Sequence, residues 1–148
     1  MRDVYQCKYL SPLGEITMYS DSFFLTSLFF SDSKKREDYP IKDLEIFEET
    51  KRFLDEYFKG ANPKSFPKYH LEGISIFQSI VLEETCNIEY GEILTYGELA
   101  KKVAKRMNRE YMSPQAIGHA LNKNPICLII PCHRVIGKIT NLLVMLGE

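Results

Sequence analysis

Two prolines four residues apart, in the run Ala61-Asn62-Pro63-Lys64-Ser65-Phe66-Pro67, set the strongest limit on how this chain folds. Proline has no backbone N–H and fixes φ, so neither a helix nor a central strand passes through such a segment. The run also has no apolar period. It separates two stretches of different pattern, and the domain boundary falls there, with one domain over 1–68 and a second over 69–148.

The part before the boundary reads as sheet plus one helix. Val4 to Leu10 is aromatic-rich, Ser11-Pro12-Leu13-Gly14 is a turn, and Glu15 to Ser20 places Ile16, Met18 and Ser20 on one face. Phe23 to Phe30 suits a buried strand, and the polar run from 31 to 39 a loop. Asp43 is placed to cap a helix whose inner face holds Leu44, Phe47, Leu54 and Phe58, with Gly60 as its stop.

After the boundary the pattern turns helical. Ile74 to Thr85 suits a helix with Ile76, Phe77, Ile80 and Val81 inward. Thr95-Tyr96-Gly97-Glu98 is a capping-box pattern opening a helix through Leu99 and Val103. Its end is basic, with Lys101, Lys102, Lys105, Arg106 and Arg109, which suits either the helix dipole or phosphates. Ser113-Pro114 opens another helix carrying Ala116, Ile117, Ala120 and Leu121 on one face. Two short helices so joined resemble a helix-turn-helix.

Charge follows the same division. Residues 1–90 hold eleven Lys and Arg against sixteen Asp and Glu, a net of −5, whereas residues 91–148 hold eight against four, a net of +4. The split allows a cationic face in the second part, though fluctuation in surface charge produces the same figures. At 45% hydrophobic and 26% charged the chain is an ordinary globular one, with nine Tyr and nine Phe to fill cores. No run approaches the roughly 18 apolar residues of a membrane span, and the N-terminus lacks the apolar stretch of a signal peptide. A cytoplasmic protein with no membrane contact is expected.

Cysteines stand at 7, 86, 127 and 132 with no Cys-x-x-Cys, and histidines at 70, 119 and 133 with no i, i+4 pair, so neither a metal site nor a disulfide framework is expected. Asn124-Pro125 ends the last helix and Ile126 to Ile130 reads as a buried β-run in which Cys127 is a core residue. Pro131-Cys132-His133-Arg134-Val135 follows. A thiol beside a base and a cation has the surroundings of an activated nucleophile. Neighbours on an extended chain point apart, so Cys132 and His133 converge only if the backbone turns; otherwise Cys132 is a structural cysteine beside a surface His-Arg pair.

Pro131-Cys132-His133-Arg134-Val135, preceded by Asn124-Pro125 and Ile129-Ile130, resembles the active-site signature of the O6-alkylguanine-DNA alkyltransferases, the methylated-DNA–protein cysteine methyltransferases. The similarity extends through Leu71-Glu72-Gly73, Phe77-Gln78, Gly91-Glu92, Thr95 to Ala100 and Ser113 to Gly118, and so covers about residues 70 to 137. The resemblance implies a mixed α/β (α+β) chain with a small N-terminal sheet-plus-helix domain. It implies a C-terminal helix-turn-helix, winged-helix-like domain that binds DNA and carries the catalytic cysteine. The implied function is DNA repair by irreversible, single-turnover transfer of an alkyl group from O6-alkylguanine to the protein's own cysteine, with no cofactor. The implied partner is double-stranded DNA, entered from the minor groove with the base flipped out, by a monomer.

Carried onto this sequence, the resemblance makes Cys132 the nucleophile and His133 the base that takes its proton through a water. Tyr96 crowds the 3′ phosphate and protonates the leaving O6. Thr95, Tyr96, Ser113, Pro114, Gln115, Ala116 and Gly118 contact DNA, with Gln115 where many relatives place an intercalating arginine. Asn124, Leu121 and Val135 belong to the substrate pocket, Asn124 through a turn tying helix to active-site segment and Val135 through backbone that reads the guanine edge. Arg134 is expected in a structural salt bridge.

The resemblance stops near the C-terminus, where Ile139 to Glu148 replaces a Gly-Tyr loop and a helix supplying a Glu to the histidine. A string encoding Leu-Val-Gly-Tyr-Ala-Gly, read one nucleotide later, gives Leu-Leu-Val-Met-Leu-Gly, the residues at 142–147. A shortened or frameshifted tail, with slower transfer, is therefore expected. The alternative function is a catalytically impaired lesion-binding protein resembling the alkyltransferase-like proteins, although those lack the cysteine that stands here at 132. A helix-turn-helix transcription factor leaves the Pro-Cys-His-Arg-Val run unexplained, and a cysteine hydrolase has no need of the basic helix pair.

Overall fold

A computed structural model of the chain describes residues 3–32 and 37–137. The loop expected over 31–39 lies partly, and the expectations for the tail wholly, outside these residues. Backbone contacts divide the chain into two units: the residues up to Glu72 together with Pro125–Ile129, and Gly73–Asn124 together with the residues from Ile130 onward.

In the first unit β1 (Tyr5–Ser11), β2 (Gly14–Ser20) and β3 (Leu25–Phe30) form an antiparallel sheet in that order. The Ser11 hydroxyl closes the first turn, donating to Gly14 O at 2.7 Å and accepting from Leu13 N at 3.0 Å. Gly14 sits at φ +126°, a conformation that a side chain disfavours. As the central strand, β2 is buried on both faces: Thr17 and Tyr19 are covered along with Ile16, Met18 and Ser20.

The third strand begins at Leu25, two residues after the expected Phe23. Asp21 Oδ1 accepts from the Phe23 and Phe24 amides at 3.1 and 2.9 Å, and Ser22 takes φ +99°, so a turn occupies those positions and Phe23 is exposed. Next comes α1 (Glu45–Phe58), with Ile46, Phe47, Phe53 and Leu54 buried and Leu44 and Phe58 only half-buried. Asp43 does not cap it. Leu44, in extended conformation, is the N-cap and its carbonyl accepts from Phe47 and Glu48, which leaves Asp43 one residue too early.

The expected strand over Ile126–Ile130 is not a continuous strand; Ile126 forms an isolated parallel bridge with Leu28. Leu28 N donates to Pro125 O at 2.8 Å and Cys127 N to Leu28 O at 3.0 Å, joining Ile126 to β3. Leu128 then takes φ +70°, which no strand accommodates, and the ladder ends. Ile126 is fully buried; Cys127 is half-buried rather than a core residue.

The second unit holds α2 (Ile76–Cys86), β4 (Leu94–Thr95), α3 (Tyr96–Arg106), α4 (Pro114–Asn122) and β5 (Val135–Ile136). Ser75 and Gln78 form a capping box that starts α2 at Ile76, and Val81, Leu82 and Thr85 are its buried residues. Ile76, expected inside, is 80% exposed, while Phe77 and Ile80 are half-buried.

The capping box of Thr95 and Glu98 forms as expected, with Glu98 N to Thr95 Oγ1 at 3.0 Å and Thr95 N to Glu98 Oε1 at 2.9 Å. Its helix buries Leu99, Ala100, Val103 and Ala104. Ser113 caps α4 by accepting from the Gln115 and Ala116 amides, with Pro114 in the first turn and Ile117, Ala120 and Leu121 buried. Thr95→Ala is expected to cost about 1 kcal/mol of stability, read as a lower urea midpoint with an unchanged slope.

Candidate active site and nucleic-acid face

Ile130 is fully buried and fixes one end of the active segment. Pro131, at φ −81° and ψ 63°, makes an inverse γ-turn in which Cys132 N donates to Ile130 O at 2.8 Å. Residues Cys132–Arg134 then wind into one 3₁₀ turn, closed by Arg134 N to Pro131 O at 2.9 Å. The backbone therefore turns where convergence of Cys132 and His133 requires it. Successive residues on a 3₁₀ turn lie about a third of a turn apart rather than on opposite faces. Cys132 is half-buried, and His133 reaches solvent.

Water still touches His133, but the protein around its ring disfavours the charged imidazolium, and the neighbouring Arg134 guanidinium adds to that. Its pKa is lowered from the ordinary 6.5. A histidine so held is neutral near pH 7, the form that accepts a proton.

Among the described residues no carboxylate pairs with Arg134, expected in a salt bridge. Its Nη1 donates to the Ile88 carbonyl at 2.9 Å and its guanidinium lies 5.7 Å from the centre of the Tyr90 ring. Both partners sit on the loop after α2, forty-six positions earlier in the chain for Ile88. Nothing in the sequence singled out either of them.

Asn124 is buried, and its Nδ2 donates to Ile130 O at 3.1 Å. The same carbonyl thus accepts from the end of α4 and from the Cys132 amide. A second tie was not foreseen: β4 pairs in parallel with β5, Leu94 with Val135 and Thr95 with Ile136. This brings the start of α3, and with it the half-buried Tyr96, beside the residues that follow Cys132. Strands of two residues are too short to leave a periodicity.

Of the residues expected to contact DNA, Pro114 and Gln115 are exposed and Ala116 and Gly118 partly so. A Cβ added to Gly118 would meet no protein atom within 4 Å. The hydroxyls of Thr95 and Ser113 are engaged as helix caps. Leu121 and Val135, expected in the pocket, are buried. Among the described residues no cluster of three or more His, Cys, Asp and Glu is arranged to hold a metal, and no helix is long and apolar enough to cross a membrane.

Residues 76–144 match the family model of the 6-O-methylguanine DNA methyltransferase DNA binding domain, and residues 4–71 that of the same enzymes' ribonuclease-like domain. A methylated-DNA–protein-cysteine methyltransferase of Methanosarcina barkeri is 41% identical over 131 residues, 86% of this chain and 79% of the relative. One of Haemophilus influenzae is 32% identical over 143 residues, 93% of this chain and 76% of the relative. Among solved structures, the O6-methylguanine methyltransferase of Mycobacterium tuberculosis superposes with a TM-score of 0.78 at 30% identity, covering 90% of this chain and 79% of the other. The OGT of that bacterium in complex with DNA gives 0.77 at 31% identity, covering 90% and 78%.

Proposed function

Because the chain belongs to the family of methylated-DNA–protein-cysteine methyltransferases, we propose that it repairs DNA by moving the alkyl group of O6-alkylguanine irreversibly onto its own Cys132. The observation that carries this reading is the turn at Pro131–Arg134. It holds a half-buried thiol on a hydrogen-bonded backbone turn, directly before a histidine whose lowered pKa favours its basic form.

The chemistry balances within the protein and its substrate. His133 takes the thiol proton through a water, the sulfur attacks the carbon bound to O6, the C–O bond breaks and the C–S bond forms. Tyr96 hands a proton to O6 as guanine leaves, and the proton held by His133 returns to the phenol through water. The acceptor is a side chain, so each molecule reacts once.

The alkyl carbon is hidden inside a duplex, so the base must leave the stack. The α3–α4 pair fits this task from the minor groove. Thr95, Tyr96, Ser113, Pro114, Gln115 and Ala116 lie on or before the first turns of the two helices, where amide N–H groups favour phosphate, and Gly118 follows in the second turn of α4. The small side chains at 116 and 118 leave room for a close approach of DNA. Asn124 and Leu121 shape the guanine pocket from the end of α4, and the backbone at Val135 reads the base edge. In this reading residues 69–148 hold the DNA-binding and catalytic domain, residues 1–68 the N-terminal domain, and the protein acts as a monomer.

Intact-mass measurement before and after incubation with O6-methylguanine duplex tests the reading. A gain of one methylene, absent in Cys132→Ala, is the expected result. An unchanged mass in the parent chain, or a gain that survives the substitution, refutes it.

A further inference from the structure

The turn joining α3 to α4 runs from Met107 to Ser113, seven residues, where helix-turn-helix pairs commonly use about three or four. Its first part is built, not slack. Asn108 takes φ +57°, its N–H reaches Lys105 O at 3.1 Å, and Arg109 N reaches Ala104 O at 2.8 Å. These two bonds are a Schellman motif, with asparagine in the left-handed position. The motif turns the chain back along α3 and leaves a groove of about 640 Å³ between that helix and the turn.

The groove lining includes the small residues Gly97, Ala100 and Ala104 and the cations Lys101, Lys105 and Arg109, against a single acid, Glu110. Tyr111, at 73% exposure, rises on the turn side. Small residues that admit a backbone, cations at its edge and an exposed ring together have the composition of a groove for nucleic acid. Arg106 is not part of it, being held by Glu83 and Glu84 of α2. Gly97 and Pro114 also line the groove and are next in sequence to Tyr96 and Gln115, so it adjoins the proposed DNA-facing helix starts.

We propose that this groove is a second DNA contact, holding the phosphodiester backbone of the duplex beyond the lesion. Lys101, Lys105 and Arg109 meet phosphates there, and Tyr111 packs on a sugar. The proposal rests on the DNA-repair reading above, and its test is separable from it.

The test is binding of a lesion-free duplex between about 50 and 200 mM salt, because each phosphate contact adds about 0.9 to the slope of log K against log salt. The triple variant K101Q/K105Q/R109Q is expected to lose about 3 from that slope and to bind at least about tenfold more weakly at the low-salt end. Tyr111→Ala should weaken binding with the slope unchanged. The charge-preserving K101R/K105R/R109K should keep the parent slope. If the triple variant melts early, single K105Q and R109Q variants, each expected to lower the slope by about 1, replace it. A parent slope in the neutral variants overturns the proposal, as does an equal loss in the charge-preserving one. The methyl mass gain on the parent chain reports the repair reading independently. Its failure beside a reduced slope would leave the groove a nucleic-acid site without transfer.

Discussion

His133→Leu is expected to slow methyl transfer to Cys132 by about 10²–10⁴-fold, the usual contribution of a positioned base, while duplex affinity changes little. Single-turnover rates on O6-methylguanine DNA give the first figure and lesion-free duplex binding the second. The pH profile of the parent adds a sign. Because burial and Arg134 lower the His133 pKa below 6.5, the base stays neutral through pH 6.5 and the acid limb of the rate falls below that value. The folding contribution has the same direction: it is complete above pH 6.5 and is lost as pH falls through the lowered value. Removing the charge with Arg134→Gln should move the acid limb upward, although the larger effect, desolvation, remains. An acid limb at or above pH 6.5 in the parent would contradict the assignment of His133 as base.

Asn124→Ala is expected to destabilise the protein by about 1–3 kcal/mol, the range for removing a buried hydrogen-bond partner. Asn124→Asp should be worse, because it sets a carboxylate oxygen against the Ile130 carbonyl in place of an N–H donor. Rates separate positioning from mere stability. Ile130 O also receives the Cys132 amide, so loss of Asn124 loosens the turn that carries the thiol. Transfer should fall even at a temperature where the variant is fully folded, with duplex binding retained. Equal rates under those conditions would reduce Asn124 to a structural residue.

What could be read from sequence follows the range of the forces involved. The Ser11–Gly14 turn, the Thr95–Glu98 box and the Ser113-Pro114 start are local devices, complete within four residues, and each forms as expected. The Ser75–Gln78 box is equally local, yet the helix expected from Ile74 starts at Ile76, and of the expected inner residues Val81 is buried while Ile76 is exposed. Asp43 and Phe23 differ in the same way: a residue with the right chemistry stands one or two places from where the chain uses it.

Contacts distant in sequence leave no comparable trace. The β4–β5 pair, the Leu28–Ile126 bridge and the grip of Arg134 on the Ile88 carbonyl join backbone groups that every residue possesses. The candidate site was nonetheless visible, because Pro131-Cys132-His133-Arg134-Val135 concentrates its chemistry in five adjacent residues. The turn that makes those residues useful was not.

Pro125–Ile129 leaves one compact unit, joins β3 of the other, and returns at Ile130 to present the thiol. The polypeptide therefore crosses between units three times, first after Glu72, a few residues beyond the proline run. A fragment expressed from Gly73 onward would carry Ile126 and Ile129, both buried in the intact chain, with no strand to receive them. Recombination at the proline run would exchange most of one unit but leave this short loan from the other behind. An exchanged sheet would have to bring a β3 able to accept it, so the two halves are bound to vary together.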